Sequence, residues 1–389
     1  MTDRRAVWNA VALVATLGLA VVVAVVAVTR SELKAPAPSP SASAPQLPTA
    51  TPSAGGLNGT GPYIVYATGA GVFAYDVSSG ERISLGSLDG APITERSRQP
   101  GGGRVVAFPT GDGSVWSVTR RGMQRVGAIP PQDGERFEGA VVSPDDDTLA
   151  VGALSPDAAL VLVDLSSGRS TLVPRKPRGH YPPEPLLPVA WSLGGTVVYQ
   201  VPYCQCGAGS LGLYTLDTNT GASSVVSGTR STLFFRFVVS ASAQSLFYGT
   251  GTSRRCASGE STPCEGPPFF LRDLAAGRRG ATVLKRASDA SFIPAAISQD
   301  GGLLLVERVD PSTGATRIEL YADDGSVQPP IRGIPKGALP LGLLPRDVVV
   351  AASPEGKFAL YMIRGGRAIL LADQSPATDP APVYLGWLR

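Results

Sequence analysis

Four cysteines, a single histidine and scattered carboxylates are the residue types from which this 389-residue chain could assemble a reactive centre. Cys204 and Cys206 are separated by one residue, and Cys256 and Cys264 follow in a second pair. Four thiolates can hold zinc, but a one-residue spacer is shorter than the usual two to four. In an exported domain an even number of cysteines points to two structural disulfides, with three possible connectivities. Cross-pairing would staple two loops together, whereas a Cys256–Cys264 bond leaves Cys204 and Cys206 as a strained pair. His180 is alone, so chemistry built on paired histidines is excluded. It lies in Arg175-Lys176-Pro177-Arg178-Gly179-His180-Tyr181, a basic loop with an aromatic residue. With Arg254 and Arg255, that loop offers candidate contacts for an anion or a glycan; the alternative is a solvated loop.

The remaining motifs carry less. Gly207-Ala208-Gly209-Ser210-Leu211-Gly212 matches G-x-G-x-x-G, but a dinucleotide site needs a helix after it, and Leu213 to Asp217 reads as a strand. Ser298-Gln299-Asp300-Gly301-Gly302 opens like a sialidase Asp-box, yet Leu305 stands where Trp is expected. It reads better as a turn whose Asp caps backbone N–H groups. No G-x-S-x-G elbow is present, and Ser31-Glu32-Leu33-Lys34 fits S-x-x-K only formally. Asp133, Glu135, Glu138, Glu184 and Asp289 are the acids that paired-carboxylate glycoside chemistry would draw on. No catalytic, cofactor or metal residue is assigned.

The elements that position these residues begin with an apolar run. Residues 6–29 are 24 positions without a charge. At about 1.5 Å per residue they form a helix of roughly 36 Å, enough to cross a hydrocarbon core of about 30 Å. The run is too long for the core of a signal peptide and no small-x-small site follows it, so a retained single-pass anchor is expected. Only residues 1–5 precede it, which puts the soluble domain on the C-terminal side, outside the cytoplasm. Residues 30–61 are the expected linker; from 35 onward they carry six prolines among Ser, Ala and Thr and no charge, an extended spacer. Asn58-Gly59-Thr60 is a formal glycosylation sequon that chance explains in such a segment. Beyond residue 34 the chain holds 30 basic and 29 acidic residues, so it lacks the electrostatic footprint of a nucleic-acid binder.

From residue 62 to 389 a unit recurs. Its clearest copy runs Val141-Val142-Ser143-Pro144-Asp145-Asp146-Asp147-Thr148-Leu149-Ala150-Val151, then Leu160 to Gly168, then Ser170 to Val173. This reads as four strands separated by a polar turn, a loop and a tight turn. The last turn recurs at Asp76, Thr119, Asp164, Asp217, Asp273, Asp323 and Arg364, seven starts with a mean spacing of 48 residues. A period near 40–50 with four short strands per unit is the signature of a propeller blade. The strands are nearly continuous apolar runs, as expected where both faces are covered. The first unit starts at its second strand, and an orphan strand at 383–388 would complete it. The expected fold is therefore all-β, a seven-bladed propeller of four-stranded antiparallel blades behind one transmembrane helix. Ala190-Trp191-Ser192-Leu193-Gly194-Gly195 and Val142-Ser143-Pro144-Asp145-Asp146 resemble the turn of TolB-type, WD-repeat-like bacterial propellers. The resemblance implies a propeller and commonly a binding role in the cell envelope, and it transfers no catalytic residue.

The long connections, at 130–138, 174–188, 200–212, 249–268 and 285–294, all fall on one face of such a ring. They hold every cysteine and every candidate contact named above, and long loops on a rigid scaffold are usual sites of recognition. Trp191 and Trp387 occupy equivalent inner-strand positions, where packing is expected. The reading is a binding or scaffolding module with an envelope protein or glycan as partner. The alternative is a carboxylate-dependent glycan hydrolase or lyase.

Overall fold

Each repeat folds because its turn residues satisfy the backbone N–H groups that a reversal would otherwise leave unpaired. In the computed structural model the Asp164 carboxylate accepts from the N–H groups of Ser166 and Ser167, both at 2.8 Å, while Gly168 N–H returns to the Asp164 carbonyl at 2.8 Å. Gly168 closes that hairpin at φ 69°, where a side chain would be strained. Asp76 and Asp217 hold their hairpins the same way. A serine serves the other recurrent turn. The hydroxyls of Ser143, Ser240 and Ser298 accept from the N–H five residues on, at 2.9, 3.0 and 2.9 Å.

The residues described are 50–52, 56–88, 93, 102–129, 137–153, 158–174, 186–192, 194–202, 210–227, 229, 235–240, 245–250, 254–255, 263–265, 269–273, 281–285, 290–310, 313–345, 348–353, 358–374 and 380–389. The chain divides into Met1–Pro45 and Gln46–Arg389, and only the second unit has described residues. The expected anchor at 6–29 lies outside them; among the described residues no helix is long and apolar enough to cross a membrane.

The second unit is a β-propeller of mainly antiparallel sheets. Among the described residues, five sheets have the four or more strands of a full blade. They belong to the first, third, fourth, fifth and seventh repeats. The second and sixth repeats give three-stranded sheets, so the expectation of seven four-stranded blades is corrected to five. Different causes act in the two reduced sheets. The second repeat's sheet starts at Val106–Pro109, which corresponds to the second strand elsewhere, and residues 94–101 before it lie outside those described. In the sixth, the outer strand shrinks to one bridge between Tyr321 and Val327. The Gly325 turn draws Ser326 N–H back to Asp324, and the chain then runs on as irregular backbone to Leu339.

Packing explains why the strands lack hydrophobic alternation. Along Tyr63–Thr68, Ile64 and Tyr66 join a core with Leu344, Leu360 and Leu371 of the seventh repeat. Tyr63, Val65 and Ala67, on the other face, join Val106, Phe108 and Val118 of the second. Equivalent apolar cores lie between each following pair of repeats. The ring is closed by Val383–Leu388, which pairs antiparallel with Tyr63–Thr68 as the inner strand of the first repeat's sheet. Both strands are almost wholly buried.

The spacer expected to run free to residue 61 is already packed onto the ring at Gly56. Leu57, at 3% exposure, fills a slot in the core between the first two repeats. Further back, Ala50–Pro52 runs parallel beside Arg82–Gly86 and adds a fifth strand to the first sheet. Burying Leu57 contributes about 1.5–3 kcal/mol to this docking.

Two tests follow from these contacts. The buried Tyr66 hydroxyl donates to the Leu371 carbonyl at 3.0 Å, tying the first repeat to the seventh. Burial pushes its pKa up to about 12 despite the opposing effect of Arg82, so the phenol is a donor at all ordinary pH. Tyr66→Phe leaves that carbonyl unpaired, and denaturant melts are expected to show a loss of about 1–2 kcal/mol. Asp164 is held down to about 2 by the Ser166 hydroxyl and by the Ser167 and Ser166 amides. A depressed carboxylate stabilises the fold above its unfolded pKa and ceases to as pH falls through the folded one. Carboxyl-carbon NMR is thus expected to place the Asp164 midpoint near 2, and Asp164→Asn to flatten acid sensitivity between about pH 4 and pH 2.

Candidate functional site

Arg120 lies on the tight turn after Ser114–Thr119, where the second sheet meets the first. Its guanidinium donates to the carbonyls of Gly59 and Gly61, the latter at 2.9 Å, and its Nε donates to the main-chain oxygen of Arg389 at 3.1 Å. The same group lies 5.2 Å from the centre of the Tyr63 ring. Leu57 N–H bonds back to the Arg120 carbonyl at 2.6 Å. One arginine therefore holds the segment leading into the ring against the residue that follows the closing strand Val383–Leu388. Gly59 and Gly61 lie so close to the Asp76 and Ser78 side chains that a Cβ on either would overlap them.

A second set of contacts continues inward. Gly102 N–H donates to Trp387 O at 2.8 Å, and Arg389 N–H to Gly103 O at 3.1 Å. Arg104 N–H is shared between both Asp146 carboxylate oxygens at 3.2 Å. Gly102 adopts φ 89°, and a Cβ there would sit 2.9 Å from the Trp387 ring, so the position requires glycine.

Beside these contacts a cavity of about 470 Å³ opens on the tight-turn face, within the range of small-ligand sites. Three repeats build it. Gln299 comes from the Ser298 turn of the sixth, Pro345 and Arg364 from turns of the seventh, and Val77, Ser78, Trp387 and Arg389 from the first, with Thr60 to Pro62 of the docked segment. Arg364 is half-buried and spends Nη1 on the Val77 carbonyl at 2.5 Å. Arg389 and Gln299 are exposed. Trp387 is 3% exposed, and its ring belongs to the core between the seventh and first repeats while also lining the cavity. Among the described residues the lining thus combines two guanidinium groups, an amide, two hydroxyls and one aromatic ring, with no carboxylate side chain. Asp76, behind the wall at 3% exposure, is taken up by Ser78 and Ser79 N–H. Such a lining offers hydrogen-bond donors suited to negative charge or to acceptor groups.

No protein-family model and no curated protein sequence matches the chain. Solved structures do. The chain is similar to an oligogalacturonate lyase in complex with manganese, at 14% identity over 81% of this chain and 86% of that one, with a TM-score of 0.53. An oligogalacturonate lyase from Vibrio parahaemolyticus matches at 11% identity over 81% and 86%, TM-score 0.52. A puromycin hydrolase matches at 14% over 82% of this chain, TM-score 0.52, and this chain spans 55% of it. The likeness is one of fold. All three are consistent with a β-propeller.

The cavity lies on the face opposite the one that sequence reasoning favoured. Arg175, Lys176, Arg178, His180 and Tyr181 lie outside the described residues, as do Cys204, Cys206, Cys256, Asp133, Glu135, Glu184 and Asp289. Arg254 and Arg255 form a two-stranded ribbon with Pro263–Glu265, in which Arg254 pairs with Glu265 and Arg255 with Pro263; Cys264 sits on that second strand. Glu138 falls on Phe137–Val142, the inner strand of the third repeat. The described structure brings Arg254, Arg255 and Cys264 onto one ribbon and joins them to no other described candidate. It brings together Arg364, Arg389, Gln299 and Trp387 instead. One signal for them was available: the seventh repeat has Arg364 where the other third turns carry Asp or Thr, beside the closing strand that carries Trp387.

The clasp itself can be tested. Arg120→Ala removes three hydrogen bonds from a charged, half-buried group, and hydrogen bonds to charged groups contribute about 1.5–3 kcal/mol each before solvent screening. A loss of about 2–4 kcal/mol in denaturant melts is expected, with faster amide exchange at Leu57 than elsewhere in the first sheet.

Proposed function

We propose that this protein is a binding module: a β-propeller held outside the cytoplasm by its apolar segment 6–29 and carrying a ligand site on the tight-turn face. The observation that carries the reading is the cavity of about 470 Å³, lined by two arginines, Gln299 and Trp387, with no acidic side chain among the described lining residues. It is a recognition surface built on a rigid scaffold. The uncharged, proline-rich stretch before residue 50 supports a tether that presents the ring to a partner. In this reading the two three-stranded sheets are reduced blades of a seven-membered ring of the TolB-like kind, since an apolar core lies between each of them and its neighbours. Disulfides among Cys204, Cys206, Cys256 and Cys264 belong to the same proposal and fit an exported domain.

A glycan hydrolase or lyase is the second reading. It is supported by the fold likeness to oligogalacturonate lyases, and it needs two of the acids on the long-loop face within about 5–10 Å of each other.

Affinity capture after cross-linking in native membranes separates the two. The intact protein is expected to retain a partner that Arg364→Gln loses and that shortening of 200–212 and 249–268 to tight turns leaves in place, with circular dichroism showing all three folded. Loss with the shortened loops alone would move the site to the opposite face. Release of new sugar ends from acidic or neutral glycans, abolished by replacing Glu138 or Asp289, would replace the binding module by the enzyme.

A further inference from the structure

We infer that the tight-turn cavity binds a carboxylate, with Arg364 as the principal contact; the inference rests on the reading of that cavity as a ligand site. Arg364 extends from the hairpin between Ala359–Arg364 and Arg367–Asp373 towards the first repeat. Its Nη1 is engaged by the Val77 carbonyl, and among the described residues the rest of its planar fork has no hydrogen-bond partner. The one bond orients the guanidinium and leaves its remaining donors free, an arrangement suited to a flat, two-oxygen acceptor. The Gln299 amide, the Ser78 and Thr60 hydroxyls and the Arg389 side chain line the same space. All of them can donate.

Among the described residues no anionic side chain competes from the lining, and the buried Asp76 behind it accepts from two backbone N–H groups. Pro62, Val77, Pro345 and the Trp387 ring give the cavity an apolar side. A bare inorganic anion would leave that side and most of the 470 Å³ unused. A carboxylate on a body of sugar or dipeptide size uses both. Two sources offer that chemistry, an acidic sugar and the free C-terminal end of a peptide, and the lining does not distinguish them.

The test uses the full chain in detergent micelles, read by calorimetry and by tryptophan fluorescence. Glucuronate is compared with glucose, and acetyl-alanyl-alanine with its C-terminal amide. At least one carboxylate is expected to bind about tenfold or more tightly than its neutral counterpart, and whichever pair shows the preference identifies the source. Arg364→Gln and Arg389→Gln are each expected to weaken that binding about tenfold, and added salt to weaken it further. Arg389 is exposed, so its variant stays informative even if loss of the Val77 bond unsettles Arg364→Gln. Equal affinity for acid and neutral probe, no binding of either acid at millimolar concentration, or binding undiminished in Arg389→Gln would overturn the assignment. If a membrane partner is captured through Arg364 while both acids fail, the carboxylate assignment falls and the binding module stands. If an acid binds while no partner is captured, the cavity assignment stands and the tethered scaffold falls.

Discussion

A propeller is a sheet array with two loose ends, and this one depends on joining them. Val383–Leu388 supplies the inner strand to a sheet whose other strands come from the opposite end of the repeat region. Without that pairing, two strand edges and two apolar faces would be open to solvent at once. Inner-strand residues of the closing segment, Tyr384 and Trp387, complete the core towards the seventh repeat, and Leu385 and Leu388 complete the one towards the second. The closing strand is therefore shared between both neighbours. The Tyr66 bond to Leu371 and the Arg82 guanidinium 4.1 Å above the Phe73 ring add directional contacts around the same seam.

The seam also explains the placement of the cavity. Within the other repeats the chain runs on from strand to strand, whereas the first sheet takes its inner strand from residues 383–388. At the seam the chain enters and leaves, so Thr60 to Pro62 and Trp387 to Arg389 must be accommodated between turns that elsewhere would meet. Arg120 gathers the two segments, and Gly102 and Gly103 bind the outgoing strand. The turns of the sixth and seventh repeats are left facing a gap, which Arg364 and Gln299 line. An opening that arises from the topology of closure has become chemically distinct through the residues at its rim.

Much of the fold was legible because its signals are local. Asp and Gly at fixed offsets mark hairpins, since a carboxylate that caps two N–H groups works within five residues. The orphan strand at 383–388 and the missing first strand before 63 were readable as halves of one sheet for the same reason: each repeat announces its own strand count. The reduced sheet of the sixth repeat was not, because Asp323 to Gly325 carries the turn signal and only the following irregular stretch fails to pair. The docking of 56–61 was hidden for a different reason. Composition marks that stretch as a linker, and a single Leu57 with two carbonyls held by a distant arginine reverses the outcome.

The candidate site was the least legible part, and its physics shows why. Its residues lie at 60–62, 77–78, 299, 345, 364 and 387–389, and no window of sequence contains more than a few of them. Loop length drew attention to the other face, since long connections look costly and tight turns look purely structural. Yet a turn residue in a ring points across a junction as readily as a loop residue does, and it is held more rigidly. Arg364 illustrates this. In place of the aspartate that caps its own hairpin at Asp76, Asp164 and Asp217, the seventh repeat has a long cation that caps nothing locally and reaches the carbonyl of Val77 in the first repeat. Departure from the repeat's own rule, beside the one sheet assembled from both ends of the repeat region, is the feature that separates this position from its equivalents.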